Sequence, residues 1–312
     1  MRVIPLPANL DEAAFDALVA PLSEPAAAGS GPVSGVGAAE TAPGRPLLLD
    51  AAGVRWVDPY GALSLLAFGH AARAAGRTAR FRPPASAEVT SYLRRMGFFR
   101  HAGDVFELHG EVGRGEDTQS DVLLEITAVT DHGDVHRVVD RVYERSGAIL
   151  STQLGYPPEL AMQFGTIFSE VCQNIIEHAQ AAGWVATQTY HWRKRLGRKV
   201  VMIAVMDLGV GFRGSLEGEH AAQYAGRWGD AAALEAAFMH GVTRFRDPGR
   251  GQGLQQIRRL VGRVDGRVSI RSGTARISDV PDWADNPPLE EGLPYFPGSQ
   301  ICIVLPARED TP

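Results

Sequence analysis

The sequence predicts two domains, α/β in its first third and α+β in the remainder. Three observations carry this. The 312 residues are enough for two domains of ordinary size, each with its own core. Strand-like apolar runs alternate with helical periodicity up to about residue 100, the pattern of a small α/β unit. A charged, glycine-bearing stretch from Arg100 to Gln119 then marks a boundary. Hydrophobic residues make up 45% and charged residues 21% of the chain, as in a soluble globular protein.

Within the first unit, Arg2 to Leu6 reads as a short strand. Asp11 to Leu22 reads as a helix with Phe15, Leu18, Val19 and Leu22 on one side. Ser23 to Arg45 is rich in Ala, Gly, Pro and Ser and reads as a flexible insertion. Pro46 to Asp50 is a buried strand, with Val54 to Asp58 as its continuation. A helix from Pro59 to Ala75 starts with the proline where a first-turn proline is tolerated. Thr78 to Arg82 is a strand, and Ala87 to Met96 a helix that ends at Gly97.

The run Leu47 to Leu63 resembles the centre of the STAS fold of anti-sigma-factor antagonists. Members of that family often carry Asp-Ser-Ser-Gly at the start of this helix, the second serine being the phosphate acceptor. Here Asp58-Pro59-Tyr60-Gly61 stands in its place, so serine phosphorylation does not carry over. Tyr60 reads as a packing residue.

Charge and cysteine content exclude several classes. A formal net charge of −5 and scattered arginines argue against nucleic-acid binding. Lys194 and Lys199 are the only lysines; they lie in a basic stretch, 193–199, that reads as a solvated hairpin turn between two apolar alternating runs. Cys172 and Cys302 sit among apolar neighbours without metal-ligand spacing, as reduced core residues of a cytoplasmic protein would. The most apolar helix candidate, Ala62 to Gly76, is interrupted by His70 and Arg73, so no membrane span is expected.

In the second half Asp121 to Val129 reads as a strand, and Asp134 to Leu154 carries apolar residues at helical spacing. Pro157-Pro158 opens a helix running to about Ala182. On it Glu170, Asn174 and His178 stack at i, i+4, i+8, opposite Val171, Cys172, Ile175 and Ile176. A carboxylate one turn from a carboxamide pairs a proton acceptor with a neutral oxygen suited to Mg²⁺. Trp184 to Trp192 and Lys199 to Met206 are strands, the second ending in Asp207-Leu208-Gly209-Val210-Gly211. A carboxylate closing an apolar strand needs a donor, and the two glycines let a flat ligand approach the backbone.

Arg213 to Asp247 reads as a mobile stretch with one helix, Asp230 to His240. It leads into Gly249-Arg250-Gly251-Gln252-Gly253-Leu254, immediately before a helix striped by Leu254, Ile257, Leu260 and Val261. Alternate glycines at a helix N-terminus expose amides to an anion. The spacing fits neither the Rossmann nor the P-loop pattern. Arg267 to Arg271 and Gln300 to Leu305 read as antiparallel strands flanking a proline-rich loop, about Asp279 to Pro297, and Gly298-Ser299 sits where the last strand begins.

Glu-x-x-x-Asn on a helix, Asp-x-Gly-x-Gly after a strand and Gly-x-Gly-x-Gly-Leu before a helix occur here in the order seen in the GHKL ATPase superfamily, which includes histidine kinases and type II topoisomerases. The chain from about Asp121 onward resembles that superfamily, and the Glu170-to-His178 spelling is most similar to anti-sigma-factor serine kinases. The resemblance implies a STAS-like domain over 1–112, with its insertion at about 23–45. A GHKL (Bergerat) α/β sandwich would follow over 119–312, with a mixed sheet covered by helices on one face and a lid at about 213–248.

The roles it implies are specific. Asn174 would hold one Mg²⁺ bridging the phosphates of ATP, and Glu170 would act as general base. Asp207 would accept from the adenine amine, Gly209 and Gly211 would shape the adenine pocket, and Gly249, Gly251, Gly253 and Leu254 the phosphate cradle. Ser299 would make a secondary adenine contact, and Arg250 and Arg244 would reach phosphate oxygens from the lid. His178 takes a structural role and His136 a surface one, because no second helix forms a dimerisation hairpin as in a sensor kinase. The implied function is a cytoplasmic, Mg-ATP-binding regulator that acts on a STAS or sigma-factor-related protein, as a serine/threonine kinase or by hydrolysing ATP. A homodimer is compatible with it. The alternative is a nucleotide-gated interaction switch with slow or no hydrolysis.

Overall fold

A computed structural model describes residues 1–23, 45–110, 123–129, 140, 144, 148–166, 183–193, 195–224, 226–243 and 253–308. The chain is of mixed α/β class. In order, its first part contains β1 (Arg2–Pro5), β2 (Asn9–Leu10), α1 (Phe15–Ser23), β3 (Leu47–Asp50), β4 (Trp56–Val57), α2 (Pro59–Ala74), β5 (Ala79–Arg82), α3 (Ala87–Arg95), α4 (Phe98–Ala102) and β6 (Glu107–Leu108). Next come β7 (Leu123–Val129), α5 over 148–154 and α6 over 158–166. The last part holds β8 (Gly183–Trp192), β9 (Arg198–Asp207), α7 (Gly211–His220), α8 (Asp230–His240), α9 (Gly253–Arg263), β10 (Arg267–Gly273), β11 (Ala275–Asp279), β12 (Leu289–Glu290) and β13 (Phe296–Pro306).

Two main sheets result. The first is parallel throughout, in the order β1-β3-β5-β6. The second has seven strands in the order β12-β11-β10-β13-β9-β8-β7. Each of its described pairings is antiparallel, which corrects the expectation of a mixed sheet. The physical reason is visible at β8 and β9, joined by a tight turn with Gly197 at φ 68°, and at β10 and β11, joined through Gly273 at φ 62°. Short connections of this kind reverse the chain, whereas parallel pairing needs a long crossover.

Helix α2 is apolar around most of its circumference because it is covered on two sides. Asp58 caps it, accepting from the Gly61 amide at 2.7 Å, and Pro59 fits the first turn. Gly61 is required by close approach: a Cβ there would lie 2.1 Å from the Leu10 carbonyl oxygen. Side chains of α2 such as Leu63, Leu66 and Phe68 share one buried cluster with Leu47 and Phe81 of the parallel sheet. The same cluster takes in Met202, Ala204, Met206, Cys302 and Val304 of the seven-stranded sheet. The alternate residues of those strands, Val201, Ile203, Val205, Ile301 and Ile303, pack with Leu234 and Phe238 of α8 and Ile257 and Leu260 of α9. Period-two alternation thus divides the sheet into a helix-covered face and a face covered by the first part of the chain.

Charge as well as apolar contact joins the parts. From the second face Arg267 pairs with Glu12 at 2.7 Å, and Arg271 with Asp16 at 2.8 Å; Arg276 pairs with Asp16 and with Glu290. Arg271 is 1% exposed, and its guanidinium stacks over Phe15 at 5.0 Å. Phe15 in turn meets Tyr60 and Phe296 edge-on, at centroid distances of 5.6 and 5.2 Å. Tyr60 is a packing residue, 1% exposed.

Other expectations change in detail. Val54 to Asp58 does not continue β3; after a turn at Ala51–Gly53, β4 pairs in parallel with β2 in a separate two-stranded sheet. The stretch expected to be mobile and to hold one helix contains two, because α7 starts at Gly211 and is held by buried Leu216. The proline-rich loop begins after Asp279, about where expected, but it contains β12, which pairs with β11, and it gives way to β13 already at Phe296. Among the described residues no helix is long and apolar enough to cross a membrane.

Candidate functional site

Three adjacent strands end together on the helix-covered face. The register opposes Gln300 to Met206, so the next positions outward, Ser299 and Asp207, face each other across β13 and β9; Ser272 of β10 pairs with Ser299. By alternation all three side chains fall on the face of Ile203, Ile270 and Ile301. Asp207, Ser299 and Ser272 therefore form a polar row at the rim of an apolar face.

Asp207 is 7% exposed. Its Oδ1 accepts from the Gly209 amide at 2.8 Å, and Ser299 donates from both its amide and its hydroxyl. Burial raises the carboxyl from 3.8 to about 6, and these three donors hold it from rising further. Ser272 Oγ donates to the Gly298 carbonyl at 2.8 Å and accepts from the Phe212 amide at 3.1 Å, tying the start of α7 to the row.

Two glycines are needed for this closeness. Gly298 sits at φ 76°, and a Cβ would fall 2.1 Å from the Asp207 carbonyl oxygen and 2.6 Å from its Oδ1. Gly211 sits at φ 66°, where a Cβ would be 2.5 Å from Ser272 Oγ. Gly209 contributes its amide to Asp207. Nearby, Asp230 of α8 accepts from the amide and hydroxyl of Thr274, both at 2.8 Å, so α8 is anchored to the β10–β11 turn.

Gly253 is buried at the first position of α9, and Leu254 packs against the helix-side core. Gln255 of the same helix donates to the Met239 carbonyl at 3.1 Å, joining α9 to α8. Glu170, Asn174 and His178, and likewise Arg244, Gly249, Arg250 and Gly251, lie outside the described residues, as do Cys172 and His136. Of the expected residues the structure thus brings together Asp207, Gly209, Gly211 and Ser299; Gly253 and Leu254 belong to α9. Among the described residues no group of three or more His, Cys, Asp or Glu side chains forms a metal site.

Sequence reasoning missed Ser272. A serine in an alternating strand carries no signal of its own, and only the β10–β13 register puts it beside Ser299. No protein-family model matches the chain, and comparison with curated proteins yields no relative.

Proposed function

We propose that the chain is a Mg-ATP-binding regulatory protein of GHKL type with a STAS-like first domain, acting as a serine/threonine protein kinase or anti-sigma-type regulator. The observation that supports it is the Asp207–Ser299–Ser272 row with its two glycines. An ionised carboxylate offers about four acceptor positions. Gly209 and Ser299 use three at Asp207, which leaves one for the exocyclic amine of adenine. Gly211 and Gly298, having no Cβ, let Ser272 and Asp207 close up against the backbone and so fix the geometry of the row that would meet the base.

Asn174 would hold the Mg²⁺, which when bound neutralises phosphate oxygens and completes its shell with water. Glu170 would take the proton from a substrate hydroxyl or a water. Gly249, Arg250, Gly251 and Gly253 would present amides and a guanidinium to the phosphates, with the N-terminus of α9 adding its dipole.

The test is incubation of the purified protein with labelled ATP and Mg²⁺ in cell extract. A labelled protein band is the kinase result, free phosphate alone the hydrolase result. Glu170→Ala should abolish turnover while ATP affinity stays nearly unchanged. Loss of affinity together with turnover would contradict the assignment of Glu170 as base.

A nucleotide-gated switch is the second reading. It is favoured by the alternation on β10, where Ser272 belongs to the candidate site and Arg271 to the contact with α1. Partner binding that depends on ATP but survives Glu170→Ala would select it.

A further inference from the structure

The last strand is irregular where it enters the candidate site. Ser272 and Gly273 are consecutive on β10, yet they pair with Ser299 and Phe296 of β13, so Pro297 and Gly298 form a bulge opposite no residue of β10. Side chains hold its carbonyls in place of the ladder. Gln300 donates from Nε2 to the Pro297 carbonyl at 2.9 Å, and Ser272 from Oγ to the Gly298 carbonyl at 2.8 Å. The bulge matters to the site because Gly298 lies against Asp207 and Ser299 donates to it.

The same segment is gripped from the opposite face of the sheet by α1. Ser23, the last residue of that helix, donates to the Tyr295 carbonyl at 2.8 Å. Phe15, its first, meets the Phe296 ring edge-on. Asp16 accepts from Arg271 Nε at 2.8 Å. That guanidinium also donates to the Pro294 carbonyl, to the Gly273 carbonyl at 3.2 Å and to Gln300 Oε1 at 3.3 Å. A continuous path therefore runs from Asp16 through Arg271 and Gln300 to the bulge, and from the bulge to Ser299 and Asp207. Helix α1 is suited to two states. It has nine residues and includes Pro21, which cannot donate a helical hydrogen bond. A helix this short is marginal in water by itself, so α1 keeps its shape through what it docks on.

We propose that α1 regulates the candidate site. Docked, it fixes the segment 294–298 and so positions Ser299 against Asp207; released, it frees the bulge and the row loosens. Asp16, Ser23, Arg271 and Gln300 are positioning residues, since none of them belongs to the row itself. The coupling is reciprocal: whatever binds the row must also tighten α1. The first part of the chain is thereby the controlling part, and a partner that draws α1 away weakens the site without touching it. The identity of the ligand rests on the nucleotide reading; the mechanical link between α1 and Asp207 does not.

Hydrogen–deuterium exchange on the full chain, comparing the native protein with Asp16→Asn and Ser23→Ala, tests the link without nucleotide. Exchange of α1 should quicken in both variants, and with it that of peptides covering 207–212 and 294–300. The rise should be at least about fivefold in Asp16→Asn and smaller in Ser23→Ala, which removes an exposed hydrogen bond. Peptides within 184–190 of β8, two places along the sheet from β13, should keep the native rate. Ser23→Ala leaves the core intact and decides the matter if Asp16→Asn does not fold. Native exchange at 207–212 in both variants, or a rise that β8 shares equally, overturns the proposal.

Calorimetry with Mg-ATP separates this proposal from the nucleotide reading. Affinity should fall at least about fivefold in Asp16→Asn, and Mg-ATP should slow exchange of α1 in the native chain. ATP bound equally tightly by the native chain and both variants overturns the coupling and leaves the nucleotide reading standing. A native chain that binds no ATP defeats the nucleotide reading, and the exchange result then judges the coupling alone.

Discussion

Replacing Asp207 with asparagine should make the protein more stable and less able to bind ATP. The carboxyl is pushed from 3.8 to about 6 by burial. At about 1.4 kcal/mol per pH unit, that rise means the ionised side chain costs the folded state roughly 3 kcal/mol at pH 7. Because the folded pKa is the higher one, the favourable contribution is fully present below pH 4 and is lost as pH rises to about 6. Asparagine carries no such charge. It turns an amide N–H₂ towards donors that met an oxygen, returning about 1 kcal/mol. The net gain is about 2 kcal/mol, a rise in Tm of roughly 4–8 °C by the usual scaling for large domains. Thermal melts of the ligand-free protein at pH 7 and pH 4.5 measure it, and the gain should shrink at the lower pH. ATP affinity should fall at least tenfold, since the acceptor we propose for the adenine amine becomes mixed in character. A variant less stable at pH 7 that binds ATP as tightly as the native chain refutes the reasoning.

Three further outcomes are expected. Gly298→Ala places a methyl 2.1 Å from the Asp207 carbonyl oxygen at φ 76° and should cost about 2 kcal/mol or more in chemical denaturation, with ATP affinity falling too. Asp16→Ala leaves Arg271 and Arg276 buried against α1 without their shared carboxylate; about 3 kcal/mol of stability should be lost, read as a lower denaturant midpoint. Tyr60→Phe removes a hydroxyl that is buried with no hydrogen-bond partner and should stabilise by about 1 kcal/mol, with the same denaturant slope.

What the sequence disclosed depended on whether a signal was local. The first turn of α2 was legible because Pro59 marks it locally, whereas the Asp58 cap and the close approach at Gly61 emerged only with the structure. The β8–β9 hairpin was legible because its alternation is long and its turn basic and glycine-bearing. Helix α7 was not, since Gly211, Gly214 and Gly218 lower its propensity and Leu216, its buried apolar residue, is fixed by tertiary contact. Arg267, Arg271 and Arg276 have the spacing of a solvent-facing strand surface. They are buried because their partners Glu12 and Asp16 lie some 250 residues away in sequence, which no local pattern encodes. In the candidate site Asp207 and its glycines were visible as a motif. Ser272 was not, because its place beside Ser299 is a property of strand register.

Hydrogen–deuterium exchange of the full chain, with and without Mg-ATP and with Mg-GTP as the comparison, bears most directly on the nucleotide assignment. ATP should slow exchange in peptides covering 207–212 and 296–300, and in those opening α9, while GTP leaves them unchanged. Equal protection by both nucleotides, or protection by ATP confined to other segments, contradicts a base held by Asp207.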